Sequence, residues 1–389
     1  MRDYCKNYQR KGKNPFAVIP WNEDFLYKIQ ELVDTMRAEQ HVSMQDIVLV
    51  FPNSRPKRYL ISRYKKLAKE KHEPALLPQI YTNKEFYTLC LHHFERGLPL
   101  FSELEPLDRC AKLYETVKTI LQQKKKSRFS SSMEVVDEQG EKIADEALQA
   151  AKFYPWAQRL DALFEECFEH VVLPKNVHYA DEVSSFAQSL LEDIEEIFAA
   201  YEQNMHEMRQ TTPAYSLYRT ALYVQAFREY QEGKIQDIDF LSGLNNKDYE
   251  AYFADFMPYL LQGKCIIFAG FVYAAKAEEI ILRYFWEQGA CICFNTDSRL
   301  VTDISALHYS CADHKKWLQK WGAEAVLLGR TEETKPAIKF LPAYDFHSQV
   351  KVLKKDLQED VLPHLKATEE RDNYSAIVLP NPALLMPVL

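Results

Sequence analysis

The sequence predicts an α/β protein whose parallel sheet is interrupted by a long all-helical stretch, and three observations carry that expectation. Short runs apolar on both faces, such as Ile47-Val-Leu-Val-Phe51 and Cys265-Ile-Ile-Phe-Ala269, suit parallel strands covered by helices on each side. They alternate with segments of helical period across short turns, the pattern that builds α/β layers. Between about Thr82 and Glu232 the alternation stops and helical periodicity alone persists. At 389 residues the chain has room for two or three domains of roughly 100–200 residues.

Taken in order, Phe16-Ala-Val-Ile-Pro20 reads as a short buried strand. A helical pattern follows with Phe25, Ile29, Leu32, Val33 and Met36 on one face. The strand at 47–51 stops at Pro52-Asn53, and Pro56 opens a helix with Tyr59, Leu60, Arg63, Tyr64 and Leu67. Helical segments then read as Lys84–Phe94, Leu107–Gln123, Ala144–Val172 and Glu182–Met208. Phe153, Trp156, Leu160, Leu163, Phe164 and Phe168 trace one apolar face. Lys124–Gln139, rich in lysine and serine, reads as an exposed loop. The α/β pattern resumes with a strand at 265–269, a helix at Ala275–Gln288 and a strand at Ala290–Phe294 that leads into Asn295-Thr296-Asp297. After a polar, His-containing loop come Ile338-Lys-Phe-Leu341, a helix at Phe346–Leu357 and a strand at Ser375–Leu379. The expected divisions are 1–81 and 236–310 for the first α/β domain, 82–235 for the helical part, and 311–389 for a linker and the start of a second α/β domain. The chain stops at Leu389 inside an apolar helical stretch without a cap, so it is expected to be the N-terminal part of something longer.

Composition excludes several classes of activity. The longest apolar run, Cys265–Ala275, is eleven residues and contains a glycine. A membrane-spanning helix needs about twenty. The basic N-terminus (Arg2, Lys6, Arg10, Lys11, Lys13) is followed by no apolar core of the kind a secretory signal requires. There are only 10 glycines, and no two lie closer than seven positions. The phosphate loop G-x-x-x-x-G-K-[ST] needs glycines five apart, and the dinucleotide fingerprint needs three within six positions, so neither motif exists here. Eight scattered cysteines, several in apolar runs, read as reduced, mostly buried thiols of a cytoplasmic protein. The net charge of −8 argues against a general nucleic-acid coat but leaves room for a local basic strip.

Four segments, in order, resemble the layout of superfamily I helicases, in which a RecA-like α/β domain is split by a helical insertion and followed by a second one. Ile47–Arg58 resembles the strand and loop that touch single-stranded DNA, with Phe51 and Asn53 in matching places. Phe268-Ala-Gly-Phe271 and the helix behind it resemble the Walker B strand and helix, and Cys293–Asp297 the next strand ending in an acid. Ile338–Leu389 resembles the entry to the second RecA-like domain. The departures define a subgroup. Ile19-Pro-Trp-Asn-Glu-Asp-Phe25 stands where the Walker A loop would lie, without glycine or lysine, and Gly270-Phe271 stands where Walker B places Asp-Glu. The nucleotide site is thus degenerate at Trp21, Asn22, Gly270 and Phe271, and a P-loop ATPase needs cradle, lysine and metal carboxylate together. In this the chain is similar to the B subunit of AddAB-type helicase–nucleases and its relatives in the PD-(D/E)XK nuclease family. Leu76-Leu-Pro-Gln-Ile80, Ala277-Glu278-Glu279 and Ala376-Ile-Val-Leu-Pro380 resemble strings that recur there. The resemblance implies an inactivated helicase module that binds or guides DNA in double-strand-break repair and recombination. It also implies a helicase partner subunit, no cofactor, and a nuclease C-terminal to Leu389.

The DNA-binding candidates are Asn53, Ser54, Arg55, Lys57, Arg58, Arg63 and Lys66. They belong to a strip running to Lys71 with eight cations in seventeen positions, in which Tyr59 and Tyr64 offer stacking surfaces. Arg55 and Lys57 are favoured because they follow the strand end. A solvated helix face is the competing account. The alternative function is a scaffold that contacts a helicase partner only. Lys124, Lys125, Lys126 and Arg128 read as a flexible cationic loop. No catalytic residue and no metal site is expected. His308-x-x-Cys311-x-x-His314 with Cys291-x-Cys293 lacks zinc-type spacing on turns. His92-His93 has no partner spacing. Asp313-His-Lys315 and Glu232-Gly-Lys234 have acid-x-lysine spacing without a preceding strand-end acid, and Asp297 reads as a turn or helix cap.

Overall fold

The computed structural model describes residues 1–72, 74, 76–96, 98, 100–123, 127, 129–136, 139–143, 145–174, 184–234, 246–330, 339–361 and 377–378. The chain divides into two units, Met1–Glu332 and Glu333–Leu389.

The first unit opens with a short helix α1 (Arg2–Asn7), strand β1 (Phe16–Pro20) and helix α2 (Phe25–Gln40). The Asp24 carboxylate starts α2 by accepting the Tyr27 amide at 2.9 Å. Strand β2 (Ile47–Phe51) leads into α3 (Ser54–Lys71), capped by Asn53 Oδ1 accepting from the Arg55 amide. Strand β3 (Gln79–Thr82) follows, and then α4 (Asn83–Phe94), which begins with a reciprocal Thr82–Glu85 capping box. The chain continues through β4 (Ser102–Glu103), α5 (Pro106–Gln123), α6 (Ser130–Met133), β5 (Val135–Val136), β6 (Lys142–Ile143), α7 (Glu146–His170), α8 (Ser185–Glu207), β7 (Gln210–Thr211), α9 (Pro213–Gln231) and α10 (Asn246–Ala254). It returns to the sheet with β8 (Cys265–Ala269), α11 (Lys276–Glu287), β9 (Cys291–Thr296), α12 (Arg299–Thr302), α13 (Ala312–Trp321) and β10 (Ala325–Leu327).

The six long-range strands form one parallel sheet in the order β10-β1-β9-β8-β2-β3. Strand alternation sorts side chains between two cores. Ala17, Ile19, Leu49, Phe51, Ile267, Cys291 and Cys293 pack against α1, α2 and α3. Phe16, Val18, Val48, Val50, Phe268, Ile292 and Phe294 pack against α4, α9, α11 and α13. Burial of the strands on both faces is why they read as unbroken apolar runs rather than alternating ones. A third core lies within α5, α7, α8 and the start of α9. Helix α9 joins two cores: Tyr215 and Tyr218 belong to the third, and Tyr223 and Val224 to the sheet.

Several expectations need adjustment. Residues 312–327 form α13 and the sixth strand, which pairs with β1 from Phe16↔Ala325 to Val18↔Leu327, so the sheet runs past the division expected at residue 310. Within the stretch 124–139 read as a loop, Phe129 and Met133 are buried in the third core and Val135–Val136 pairs with Lys142–Ile143. On α7, Phe153, Leu160, Phe164 and Phe168 are buried as expected, but Trp156 and Leu163 are exposed. In the second unit the described residues form α14 (Phe346–Asp356), capped by Asp345 accepting from the Ser348 amide at 2.7 Å. Lys339–Leu341 and Ile377–Val378 are not strands, and the rest of the strands read at 338–341 and 375–379 lies outside the described residues. Among the described residues no helix is long and apolar enough to cross a membrane.

Candidate nucleic-acid interface

Outside the carboxyl ends of β1 and β2 the chain leaves through α2 and α3 on one face; outside β8 and β9 it leaves through α11 and α13 on the other. Such reversals open a crevice where parallel α/β sheets gather ligands. Here the protein's own groups bond and pack with one another around the strand ends.

The N-terminus of α2, where backbone amides and the helix dipole favour an anion, already holds the Asp24 carboxylate. Asp24 is itself paired with Arg63 at 3.0 Å. Burial alone would raise this acid, but the Tyr27 amide and the Arg63 guanidinium hold it below the usual carboxylate range. Gly270 has φ +79, and a Cβ there would lie 3.2 Å from the Phe25 ring, so Phe25 fills the space over the strand end. Asn22 Nδ2 reaches the Arg330 carbonyl at 3.5 Å. The Phe271 carbonyl and Thr296 Oγ1 are bridged by buried His314. Asp297 accepts the amides of Arg299 and His308 and pairs with Nε and Nη2 of the Arg299 guanidinium, which makes it the turn cap the sequence suggests. Burial pushes its carboxyl up, and these donors bring it below the ordinary value.

The His314 contacts assign its tautomer: Nε2–H donates to the Phe271 carbonyl at 3.0 Å and Nδ1 accepts the Thr296 hydroxyl at 2.9 Å. Burial pushes its pKa below the ordinary histidine value, against opposing effects of the Phe271 carbonyl and Asp313. A depressed histidine pKa makes the unfolded chain bind the proton first, so stability is lost as pH falls below about 6.5, by at most ~1.4 kcal/mol per pH unit. Urea unfolding of the parent chain and of His314→Gln is expected to show the parent's advantage shrinking from pH 7.5 to pH 5.5. A constant advantage would contradict the buried neutral imidazole.

Helix α3 turns its basic side to solvent. Leu60 and Tyr64 are buried beneath it, and Arg55, Arg58, Ser62, Lys65, Lys66 and Lys69 are exposed. The candidates divide into two groups. Lys57 is ion-paired with Glu85 at 2.7 Å, and Arg63 with Asp24, over the Tyr27 ring at 5.1 Å. Arg55, Arg58 and Lys66 form no ion pair with any described residue. Asn53 and Ser54 are exposed at the cap. Of the two proposed stacking rings, Tyr59 is 52% exposed, but Tyr64 is only 5% exposed and belongs to the core. Helical position decides this: residue 64 is one turn beyond Leu60 on the same inward face. Lys124, Lys125, Lys126 and Arg128 lie outside the described residues.

The sequence reading missed a set of exposed aromatics on the same edge of the sheet. Trp21, Tyr27, Tyr273 and Tyr309 are each at least half exposed: Trp21 and Tyr27 follow β1, Tyr273 follows β8, and Tyr309 lies between α12 and α13. Trp21 lies edge-on to His308, which leans on Tyr309 at 4.4 Å. No periodic signal marks them, because exposure in a loop is set by tertiary packing.

The other candidates do not converge. Cys291 and Cys293 face the α1–α2 side, whereas His314 stacks on Phe294 on the opposite side of the sheet. Among the described residues no group of three His, Cys, Asp or Glu could hold a metal ion. His93 bonds the Asp255 carbonyl. Glu232 pairs with Lys234 at the end of α9, and Asp313 with Lys316 rather than Lys315. No protein-family model and no curated protein matches the chain.

Proposed function

We propose that this chain is a helicase-like module without nucleotide chemistry that binds or guides DNA, working beside a helicase partner in a bacterial double-strand-break repair assembly. The observation that carries this reading is the exposed face of α3. Arg55 and Arg58 stand in the first two turns of a helix with no acid in its first turn. Cations there oppose the helix dipole, each at a cost of roughly 0.3–1 kcal/mol at low ionic strength. An anion seated at that end is stabilised by the amides, the dipole and the side chains together. A phosphate backbone laid along Arg55, Arg58 and Lys66 fits, and the exposed rings of Tyr59, Trp21 and Tyr309 offer faces for unpaired bases.

The RecA-like reading rests on the all-parallel sheet, whose connections reverse beside β1, β9, β8 and β2, the strands that carry the helicase resemblance. The helical segment between β3 and β8, with its own core, is read as the insertion. The chain is read as no ATPase because the phosphate-loop glycines and lysine and the Walker B acids are missing, while Asp24 caps α2 and Phe25 packs over Gly270. A base stacked on an aromatic ring contributes about 1–3 kcal/mol without counterion release. Trp21→Ala is therefore expected to weaken single-stranded DNA binding about 5- to 150-fold with an unchanged salt slope, measured by fluorescence anisotropy at two salt concentrations. Failure of the parent chain to bind single-stranded or end-containing DNA at low salt overturns the reading.

A further inference from the structure

A cavity of about 410 Å³ lies between α4, the segment around Phe101, the end of α7, the start of α9 and the first turn of α11. Four carboxylates line it: Glu95, Glu103, Glu169 and Glu278. Two have their own cations. Glu95 pairs with buried Arg219, and Glu103 with Lys84 at 2.7 Å. The other two form no ion pair with any described residue. Glu278 accepts Asn83 Nδ2 at 2.9 Å and the Ala275 amide at 3.3 Å, neither of which carries a positive charge. Burial raises its carboxyl above the usual range, and the nearby charge of Glu169 adds to the rise. Beside it, the Tyr87 hydroxyl, in a side chain only 5% exposed, faces the Glu278 carboxyl and partly offsets that rise. Leu91, Leu217 and the Phe101 and Tyr273 rings supply apolar wall.

A roomy, mostly apolar space with a few convergent polar groups is how small-molecule sites are built. The sign of the charge chooses the ligand. An anion is repelled, and a cation between Glu169 and Glu278 offsets the burial and mutual repulsion that raise the Glu278 carboxyl. We propose that this cavity binds a small organic cation, an ammonium or guanidinium head on an apolar stem. The head sits between Glu169 and Glu278 and donates to both carboxylates. The stem lies along Leu91 and Leu217. The site is independent of the DNA reading, since none of its residues lies on α3.

The test is calorimetric titration of the whole chain with benzamidine, with benzoate as the isosteric anion. Saturable benzamidine binding without benzoate binding is expected. Glu169→Gln and Glu278→Gln are each expected to weaken benzamidine binding at least about tenfold. Glu169 is exposed, so its variant keeps the fold, and glutamine at 278 still accepts the Ala275 amide. Tighter binding of benzamidine than of N-acetylarginine amide supports a free small cation; the reverse supports the same site taking an arginine side chain of a partner. Equal binding of benzamidine and benzoate, or benzamidine affinity unchanged in both glutamine variants, overturns the proposal.

Discussion

The triple variant Arg55→Glu, Arg58→Glu, Lys66→Glu is expected to bind single-stranded DNA about 10²-fold more weakly than the parent at 0.1 M salt. Each phosphate neutralised on a single strand contributes about 0.7 to the slope of log K against log salt concentration. Losing three contacts makes that slope shallower by about two. The electrostatic term vanishes near 1 M, so a slope difference of about two becomes about two decades at one-tenth of that concentration. The three side chains are exposed and support no described partner, so the fold should tolerate their reversal. Reversing Lys57 and Arg63 instead breaks the pairs to Glu85 and Asp24, and any loss of affinity then mixes with a displaced α3. Anisotropy titrations at about 50 and 200 mM salt separate these cases. A triple variant with the parent's affinity and slope removes α3 from the interface, and the scaffold reading, contact with a helicase partner alone, then takes its place.

That experiment uses the structure to sort what the sequence presents as one strip. Eight cations between Arg55 and Lys71 are legible as a basic helix, but which of them are spent on internal pairs depends on Asp24 and Glu85, distant in sequence and brought close by the sheet. The four central strands β1, β2, β8 and β9 were legible for the opposite reason, whereas half-buried β3 at the sheet edge was not read. Their two-sided burial leaves a continuous apolar run that no surface element imitates. Helix α9 escaped the sequence reading because it is buried almost all round, from Ala214 to Ala226, so it has no polar stripe and no clear period. Helix α13 and the three-residue β10 escaped for want of length: His314 and Trp317 look like parts of a polar loop until the sheet supplies their surroundings. The packing at the carboxyl ends of β1, β8 and β9 was not legible in the sequence. That Asp24, Phe25 and His314 pack there follows from helix and strand ends meeting across the sheet, a relation no local window contains.

Gly289→Ala is expected to cost about 3–6 kcal/mol of stability, the largest single-site effect foreseen outside the aromatic core. Gly289 sits at φ +103 in the turn between α11 and β9. An added Cβ would lie 2.3 Å from the Arg10 carbonyl oxygen, 2.5 Å from its carbon and 2.9 Å from the Lys11 nitrogen. These are backbone atoms and cannot swing away as a side-chain tip can. The segment they belong to is stitched to this turn: the Tyr8 hydroxyl and Asn14 Nδ2 both donate to the Gly289 carbonyl at 2.8 Å, and Trp286 Nε1 donates to the Asn14 carbonyl at 2.7 Å. Relieving the clash means giving up these three hydrogen bonds, at roughly 0.5–1.5 kcal/mol each. The unfavourable backbone conformation adds about 1–3 kcal/mol. Gly322→Ala is the control, since it also has positive φ, at +61, but meets no atom within 4 Å. It should cost only the backbone term, about 1–2 kcal/mol. Urea unfolding followed by tryptophan fluorescence measures both, with Trp286 as a reporter beside the turn. Equal costs for the two substitutions would mean that the N-terminal segment yields freely, and that residues 8–14 are not the clamp on β9 that these contacts describe.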